Sequence, residues 1–175
     1  ALKAVAGVRK SLGVRNFFNI MGPLVNPTQP PYQVLGVYDL SMMRLFSYIY
    51  QESKKNFSIV HSIDGYDEIS LTGQFKVVSN RGEQLFVPGD LGLRRASQTE
   101  LSGGETPEDA ARIFDLVLRC EATEAQMNAV LVNAAFGIRT IEQDKSIDDC
   151  LDQARDSLYG KKALKTFNQY IELNS

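Results

Sequence analysis

Two short apolar runs joined through one amphipathic helix constrain this chain more than any other feature. Gln33-Val34-Leu35-Gly36-Val37-Tyr38 and the run from Phe57 to His61 read as buried strands. Between them Met42, Leu45, Phe46 and Ile49 recur at helical spacing, behind Asp39 and Ser41 as candidate caps. Strand, helix and strand in this order indicate a parallel βαβ unit, because a parallel return needs a crossover far longer than a hairpin turn. Ligand sites in such sheets gather beyond the carboxyl ends of the strands.

The pattern then changes. Gln74–Val78 and Glu83–Val87 flank Asn80-Arg81-Gly82 and read as an antiparallel hairpin with a glycine turn. Pro88 to Gly104 is loop-rich, and the last third is helical. Thr106-Pro107-Glu108-Asp109 is a capped start with proline at the first helical position. Thr123 and Gln126 resemble a capping box ahead of an apolar stripe running from Met127 to Ile141. Ser146 opens a further helix that Gly160 is expected to end, and Ala163 to Ile171 line the last one. Ahead of the βαβ unit, Leu2 to Leu12 suggests a short helix stopped by Gly13, followed by a loop from Asn19 to Pro27 with Gly-Pro and Asn-Pro breaks. The expected fold is α/β: a mixed, largely parallel sheet with packed helices and a helical C-terminal third.

With 175 residues, 43% of them hydrophobic, the chain can bury one proper core. A formal net charge of −2 gives no support for a nucleic-acid or membrane-surface binder. Cys120 and Cys150 lie in helical segments among apolar neighbours and read as reduced thiols of a cytoplasmic protein. No apolar run approaches a membrane span. The chain opens Ala1-Leu2-Lys3 and passes directly into helical spacing, which suggests a start inside an element.

Four features could carry chemistry. Asp64-Gly65-Tyr66-Asp67-Glu68 follows the second strand and concentrates three carboxylates around a glycine, a hard-oxygen set suited to Mg²⁺. Neighbouring strand residues face opposite sides, so Asp67 and Glu68 can share one ion only where the backbone turns. A solvated acidic turn is the other reading of the same residues. Arg9, with Arg15 nearby, offers the two parallel bonds with which arginine grips a carboxylate or phosphate, or is a surface helix arginine. The Asn19–Pro27 loop makes a stiff wall suited to a flat ligand or to a plain chain crossing. Gly103-Gly104 ahead of the Thr106 helix is a turn or an anion cradle. His61 is the only histidine, which excludes a multi-histidine metal site; it reads as structural rather than as a triad member with Ser62 and Asp64.

Three stretches together resemble the anthranilate phosphoribosyltransferase family: Ala1-Leu2-Lys3 through Arg15 with Phe18–Pro27, then Val34–Tyr38, then Val60-His61 with Asp64–Gly73. Leu101–Gly104 and Leu131–Ala135 follow in the family's order. The resemblance implies a nucleoside phosphorylase/anthranilate phosphoribosyltransferase-like fold. It also implies transfer of a phosphoribosyl group from phosphoribosyl pyrophosphate to the amine of anthranilate, in tryptophan biosynthesis. It assigns Arg9 to the anthranilate carboxylate, Gly22 and Pro23 to the loop beside that acceptor, and Asp67 and Glu68 to Mg²⁺ on the donor's pyrophosphate. No catalytic acid or base is assigned. Ser62 stands where the family usually has glycine, and Tyr66 where it usually has leucine.

Residues 1–175 match a partial α/β catalytic domain; the family's N-terminal helical domain and glycine-rich donor loop have no counterpart here. The expectation is therefore a truncated chain, inactive in isolation and monomeric, from an enzyme that is homodimeric at full length. A pyrimidine nucleoside phosphorylase-like enzyme, or a non-catalytic anion- or nucleic-acid-binding relative, are the alternatives.

Overall fold

The computed structural model describes residues 22–174, and the chain divides into two compact units, residues 1–30 and 31–175. The helix expected at Leu2–Leu12 lies outside the described residues. In the first unit Gly22–Val25 forms one 3₁₀ turn. Asn26 then closes the next bend, its Oδ1 accepting from Thr28 N at 3.1 Å and its carbonyl from Gln29 N at 3.1 Å.

The second unit contains β1 (Tyr32–Gly36), α1 (Leu40–Gln51), β2 (Asn56–Ser62), β3 (Phe75–Ser79) and β4 (Gly82–Phe86). Four helices follow: α2 (Pro107–Arg119), α3 (Glu124–Ile141), α4 (Ile147–Tyr159) and α5 (Lys162–Asn174). The strands lie in sequence order. β1 pairs parallel with β2, Leu35 standing opposite Ile59, as the helical crossover requires. β2–β3 and β3–β4 are antiparallel. The mixed α/β class holds; one of the three described pairings is parallel, a smaller share than expected, because the hairpin extends the sheet on the far side of β2. Ser79 pairs with Gly82, which leaves Asn80 and Arg81 as the turn. Asn80 Oδ1 accepts from Phe57 N at 2.8 Å and ties that turn to the start of β2.

Local chemistry starts the helices where expected. Asp39 caps α1 through Met42 N at 2.7 Å, Thr106 caps α2 through Asp109 N at 3.1 Å, and Ser146 caps α4 through Asp149 N at 3.0 Å. Thr123 and Gln126 form the reciprocal capping box of α3. Each satisfies N–H groups that the first turn leaves without partners. Helix ends depart from expectation. Cys120 is not helical but takes the left-handed conformation just past α2, with φ 60°. Gly160 has φ −74°, and Lys161 is the left-handed residue after α4. Glycine is needed at 160 for space, since a Cβ there would lie 2.5 Å from the Asp156 carbonyl oxygen.

The sheet is packed on both faces. On one, Tyr50 of α1 meets Phe57 of β2 at 5.4 Å between ring centroids. On the other, Phe75 and Phe86 stack at 5.3 Å, and Phe136 of α3 stands edge-on to them at 5.8 and 5.3 Å. Val60, Ile69, Leu71, Leu91 and Val132 complete this core. The opposite side of α3 packs against α2 and α4 through Leu131, Ala135, Val117, Cys150 and Leu151. α3 is thus buried on two sides, which accounts for the length and breadth of its apolar stripe. Cys120 and Cys150 are free thiols, and burial pushes the Cys150 thiol up. No helix among the described residues is long and apolar enough to cross a membrane.

Tyr50 is 3% exposed, and among the described residues its hydroxyl has no hydrogen-bond partner. Burial raises its pKa for the same reason: the charged form is poorly solvated. Tyr50→Phe removes a desolvated group without disturbing the ring contacts. It should stabilise the fold by about 1 kcal/mol in urea unfolding; a loss of stability would show that the hydroxyl has a partner.

Candidate functional site

β2 ends at Ser62, and the backbone doubles back at once. Gly65 N donates to the Ser62 carbonyl and Ser62 N to the Tyr66 carbonyl, both at 2.9 Å. Gly65 takes φ 106°, a conformation few other residues adopt. Asp67 and Glu68 follow in a bend rather than on a strand, and both are exposed. The pleat therefore does not force their side chains to opposite faces.

The turn crosses the end of the parallel pair. The Asp67 carbonyl oxygen lies where a Cβ of Gly36 would stand, only 1.7 Å from that position. Gly36 is the last residue of β1, so Asp67 sits beyond the carboxyl end of the strand beside β2. The chain after the turn is anchored deep in the fold. Asn133 of α3 pairs with Ile69 as a second peptide would, accepting from its N–H at 3.1 Å and donating to its carbonyl at 2.8 Å. Leu71 is 1% exposed in the left-handed region at φ 61°, and its carbonyl accepts from Ala96 N at 2.9 Å.

The three carboxylates part company here. The Thr72 hydroxyl donates a short hydrogen bond to Asp64, which ties that carboxylate into the fold. Asp67 and Glu68 form no ion pair among the described residues. No set of three or more His, Cys, Asp and Glu side chains that could hold a metal occurs among the described residues. Two exposed carboxylates on one bend still fit Mg²⁺, which binds through one or two carboxylates and fills its octahedron with water and substrate phosphate.

Glu68 and Tyr66 also lie on the rim of a cleft of about 780 Å³ between the turn and the apolar faces of α2 and α3. The loop bordering this cleft is held by Glu100, which accepts from Arg94 at 2.6 Å and from Ser97 N at 2.8 Å. The Arg94 guanidinium, with Ser97, holds the Glu100 carboxyl at about 2.

The other expected features resolve as follows. His61 is 5% exposed with Nδ1 at 2.8 Å from the Val37 carbonyl; a carbonyl only accepts, so Nδ1 carries the proton and the ring is structural. No triad forms, because the Ser62 hydroxyl donates to the Glu68 carbonyl and Asp64 is engaged by Thr72. The N-terminus of α2 is filled by Asp109, whose carboxylate accepts from the Thr106 hydroxyl at 2.9 Å and is held below its usual pKa chiefly by that bond. Gly22 is exposed and Pro23 half-buried, at the start of the 3₁₀ turn of the first unit. Arg9 lies outside the described residues.

A parallel pair ending under an exposed acidic bend places the candidate site beyond the carboxyl ends of the strands, where ligand sites of α/β sheets gather. The chain belongs to the glycosyl transferase family, a/b domain, whose pattern matches residues 1–164. It is 57% identical over 174 residues to an anthranilate phosphoribosyltransferase of Bacteroides fragilis (strain YCH46), covering 99% of this chain and 53% of that protein. Among solved structures, the anthranilate phosphoribosyltransferase of Thermus thermophilus aligns with a TM-score of 0.89 at 30% identity, over 98% of this chain and 51% of that one. The Saccharomyces cerevisiae anthranilate phosphoribosyltransferase in complex with PRPP and Mg aligns at 0.86 and 22% identity, over 96% of this chain and 48% of that one, a likeness of fold alone. The chain spans about half the length of the curated relatives it matches.

Gly36, Ser70, Thr72 and Asn133 all shape this site and were not singled out from the sequence as doing so, whereas Ser62 stood out as a departure from the family's usual glycine. Asn133 left one trace: asparagine inside a helix competes poorly there unless its side chain has a bonding task. Gly36→Ala would drive a methyl into the Asp67 carbonyl. The variant should lose about 3 kcal/mol in urea unfolding, with amide shifts concentrated at Asp67 and Glu68. Wild-type stability would show that the turn is not held against β1.

Proposed function

We propose that this chain supplies the metal turn and the acceptor wall of an anthranilate phosphoribosyltransferase. The enzyme would pass the phosphoribosyl group of phosphoribosyl pyrophosphate to the amine of anthranilate, in tryptophan biosynthesis. The observation that carries the reading is the exposed Asp67–Glu68 bend at the carboxyl ends of β1 and β2. Likeness to anthranilate phosphoribosyltransferases over nearly the whole chain favours this reading over the nucleoside phosphorylase alternative. Mg is the ion named with PRPP in the yeast neighbour.

In this reading Asp67 and Glu68 hold Mg²⁺ through their exposed oxygens. Bound there, the ion supplies positive charge to a pyrophosphate that gains negative charge as its bond to ribose breaks. Gly65 and Gly36 set the path of the bend, and Asn133 fixes its exit, so the carboxylates are placed before the donor arrives. Arg9 clamps the anthranilate carboxylate, and Gly22 and Pro23 form the wall beside the ring. An aromatic amine is a weak base, so positioning contributes more than strong base catalysis, in keeping with a histidine bound to a backbone carbonyl. Residues 1–175 then form part of the α/β catalytic domain, of a cytoplasmic enzyme that is dimeric at full length. The two free thiols suit that compartment.

Two assays test the reading. The 175-residue chain alone, with donor, Mg²⁺ and anthranilate, should show no loss of anthranilate fluorescence above background. Its sequence carries no glycine-rich phosphate loop, and a polyanionic donor needs many N–H groups and cations. Clear turnover would mean a donor site elsewhere in the chain. With this chain built into a full-length enzyme, Asp67→Asn with Glu68→Gln should lower kcat/KM by about a hundredfold or more. Arg9→Ala there should raise the KM for anthranilate by about tenfold, with a smaller change for the donor. An unchanged KM for anthranilate would remove Arg9 from the acceptor site.

A further inference from the structure

Ser62 stands where the family resembled usually has glycine, yet its side chain is not incidental. It is 1% exposed and lies at the centre of a buried hydroxyl chain. Its Oγ donates to the Glu68 carbonyl at 2.7 Å and accepts from Ser70 N at 3.2 Å. Ser70 Oγ lies 2.7 Å from Thr72 Oγ1, and the Thr72 hydroxyl donates to Asp64. Counting hydrogens fixes the directions. Each hydroxyl has one hydrogen. A carbonyl and a carboxylate only accept, so Ser62 donates to Glu68 and Thr72 to Asp64; the one Ser70 hydrogen is then offered to Thr72 Oγ1 at 2.7 Å in preference to Ser62 Oγ at 3.2 Å. Every member is satisfied, which is the condition under which a buried polar network is rigid rather than costly.

We propose that Ser62 is a positioning residue for the carboxylate pair: its hydroxyl holds the Glu68 peptide, and with it the Asp67–Glu68 bend, in the geometry that receives a divalent cation. The proposal rests on the metal role given to Asp67 and Glu68 above. Three contacts fix the bend from different sides. Gly36 gives it room at Asp67, Ser62 binds the Glu68 carbonyl, and Asn133 binds both polar groups of Ile69. Of these only the Ser62 bond reaches a carboxylate-bearing residue through a side chain. The remaining carboxylate, Asp64, is the far terminus of the same chain, one of its oxygens engaged by the Thr72 hydroxyl.

The test uses Mn²⁺ as the probe ion, titrated into the 175-residue chain and followed by water-proton relaxation, beside thermal unfolding. Wild type should bind, and Asp67→Asn with Glu68→Gln should not. Ser62→Ala, and separately Ser62→Gly, should weaken Mn²⁺ by about tenfold, as is typical when a group that orients a metal ligand is lost. Thr140→Val is the control for a purely structural hydroxyl. Thr140 is 3% exposed; its hydroxyl donates to the Phe136 carbonyl at 2.8 Å and lies 2.7 Å from Ser58 Oγ, in the sheet core away from the bend. It should lower the melting temperature and leave Mn²⁺ binding unchanged. Should Ser62→Ala fail to fold, Ser62→Gly carries the same readout. Wild-type Mn²⁺ affinity in the Ser62 variants, or an equal loss in Thr140→Val, overturns the proposal while the metal reading survives. No Mn²⁺ binding by the wild type overturns both.

Discussion

Phe136 stands edge-on against the stacked rings of Phe75 and Phe86, and the placement of the site follows from that seat. An edge-to-face contact to two rings at once fixes rotation about the α3 axis as well as distance from the sheet. Asn133 lies one turn earlier on the same helix. With Phe136 seated, the Asn133 amide is brought to the backbone of Ile69, which it pairs on both polar groups. Ile69 and Leu71 are themselves members of the core that contains the three rings. The apolar core and the polar clamp therefore specify one position of the segment leaving the turn. A change in the aromatic seat is transmitted to the carboxylates immediately upstream.

The same turn is constrained from the strand side by an absence. β1 and β2 run parallel, so their carboxyl ends finish on one edge, and a chain leaving β2 must pass over the end of β1. Any side chain at position 36 would occupy the Asp67 carbonyl oxygen. Glycine usually weakens a strand; here it ends one, and the cost is offset by the close crossing. The acidic character of the turn is managed by the same geometry. Asp64 is satisfied by a hydroxyl rather than by a cation, while Asp67 and Glu68 are exposed, where water's high dielectric keeps the repulsion of two like charges to about 1 kcal/mol at 4 Å. A pair of exposed carboxylates held in this way, with no ion pair among the described residues, would be ready for a cation in the proposed role.

What could be read in the sequence follows the range of each interaction. Asp39, Thr106, Thr123 and Ser146 act on N–H groups three residues away, so their roles stand in the local order of residues, and all four caps form. The hairpin around Asn80-Arg81-Gly82 is equally local. The placement of Asp67 and Glu68 on a bend after β2 was legible because a strand, a glycine and the carboxylates are contiguous. Helix ends were harder. Lys161 carries the positive φ that a glycine next to it would be expected to take, because position 160 is governed by contact with Asp156 rather than by handedness. The contacts that shape the site were not legible at all. Asn133 and Ile69 are 64 positions apart, and Gly36 meets Asp67 only after the sheet forms. Ser62 could be noticed as an unusual residue, but its partner, the Glu68 carbonyl, exists as a target only once the turn has closed.

Under the metal role proposed for Asp67 and Glu68, the carboxylate pair would also set the order in which ligands arrive. A donor pyrophosphate and two ionised carboxylates repel one another. At 4 Å a single pair of like charges costs about 1 kcal/mol in water and about 4 kcal/mol near a protein surface. Several such pairs would act together on a polyanion, so in that reading the bare bend would exclude the donor instead of attracting it. A divalent cation reverses the sign of the interaction, because each carboxylate then faces positive charge and the phosphates share it. The bend is in this sense a conditional site, closed to anions without the ion and open with it. The condition is sharp only if the two carboxylates keep a fixed separation, since a floppy pair could turn away from the donor and weaken the exclusion. In that reading, rigidity at Gly36, Ser62 and Asn133 would serve selectivity for the metal-bound donor as much as affinity for the metal.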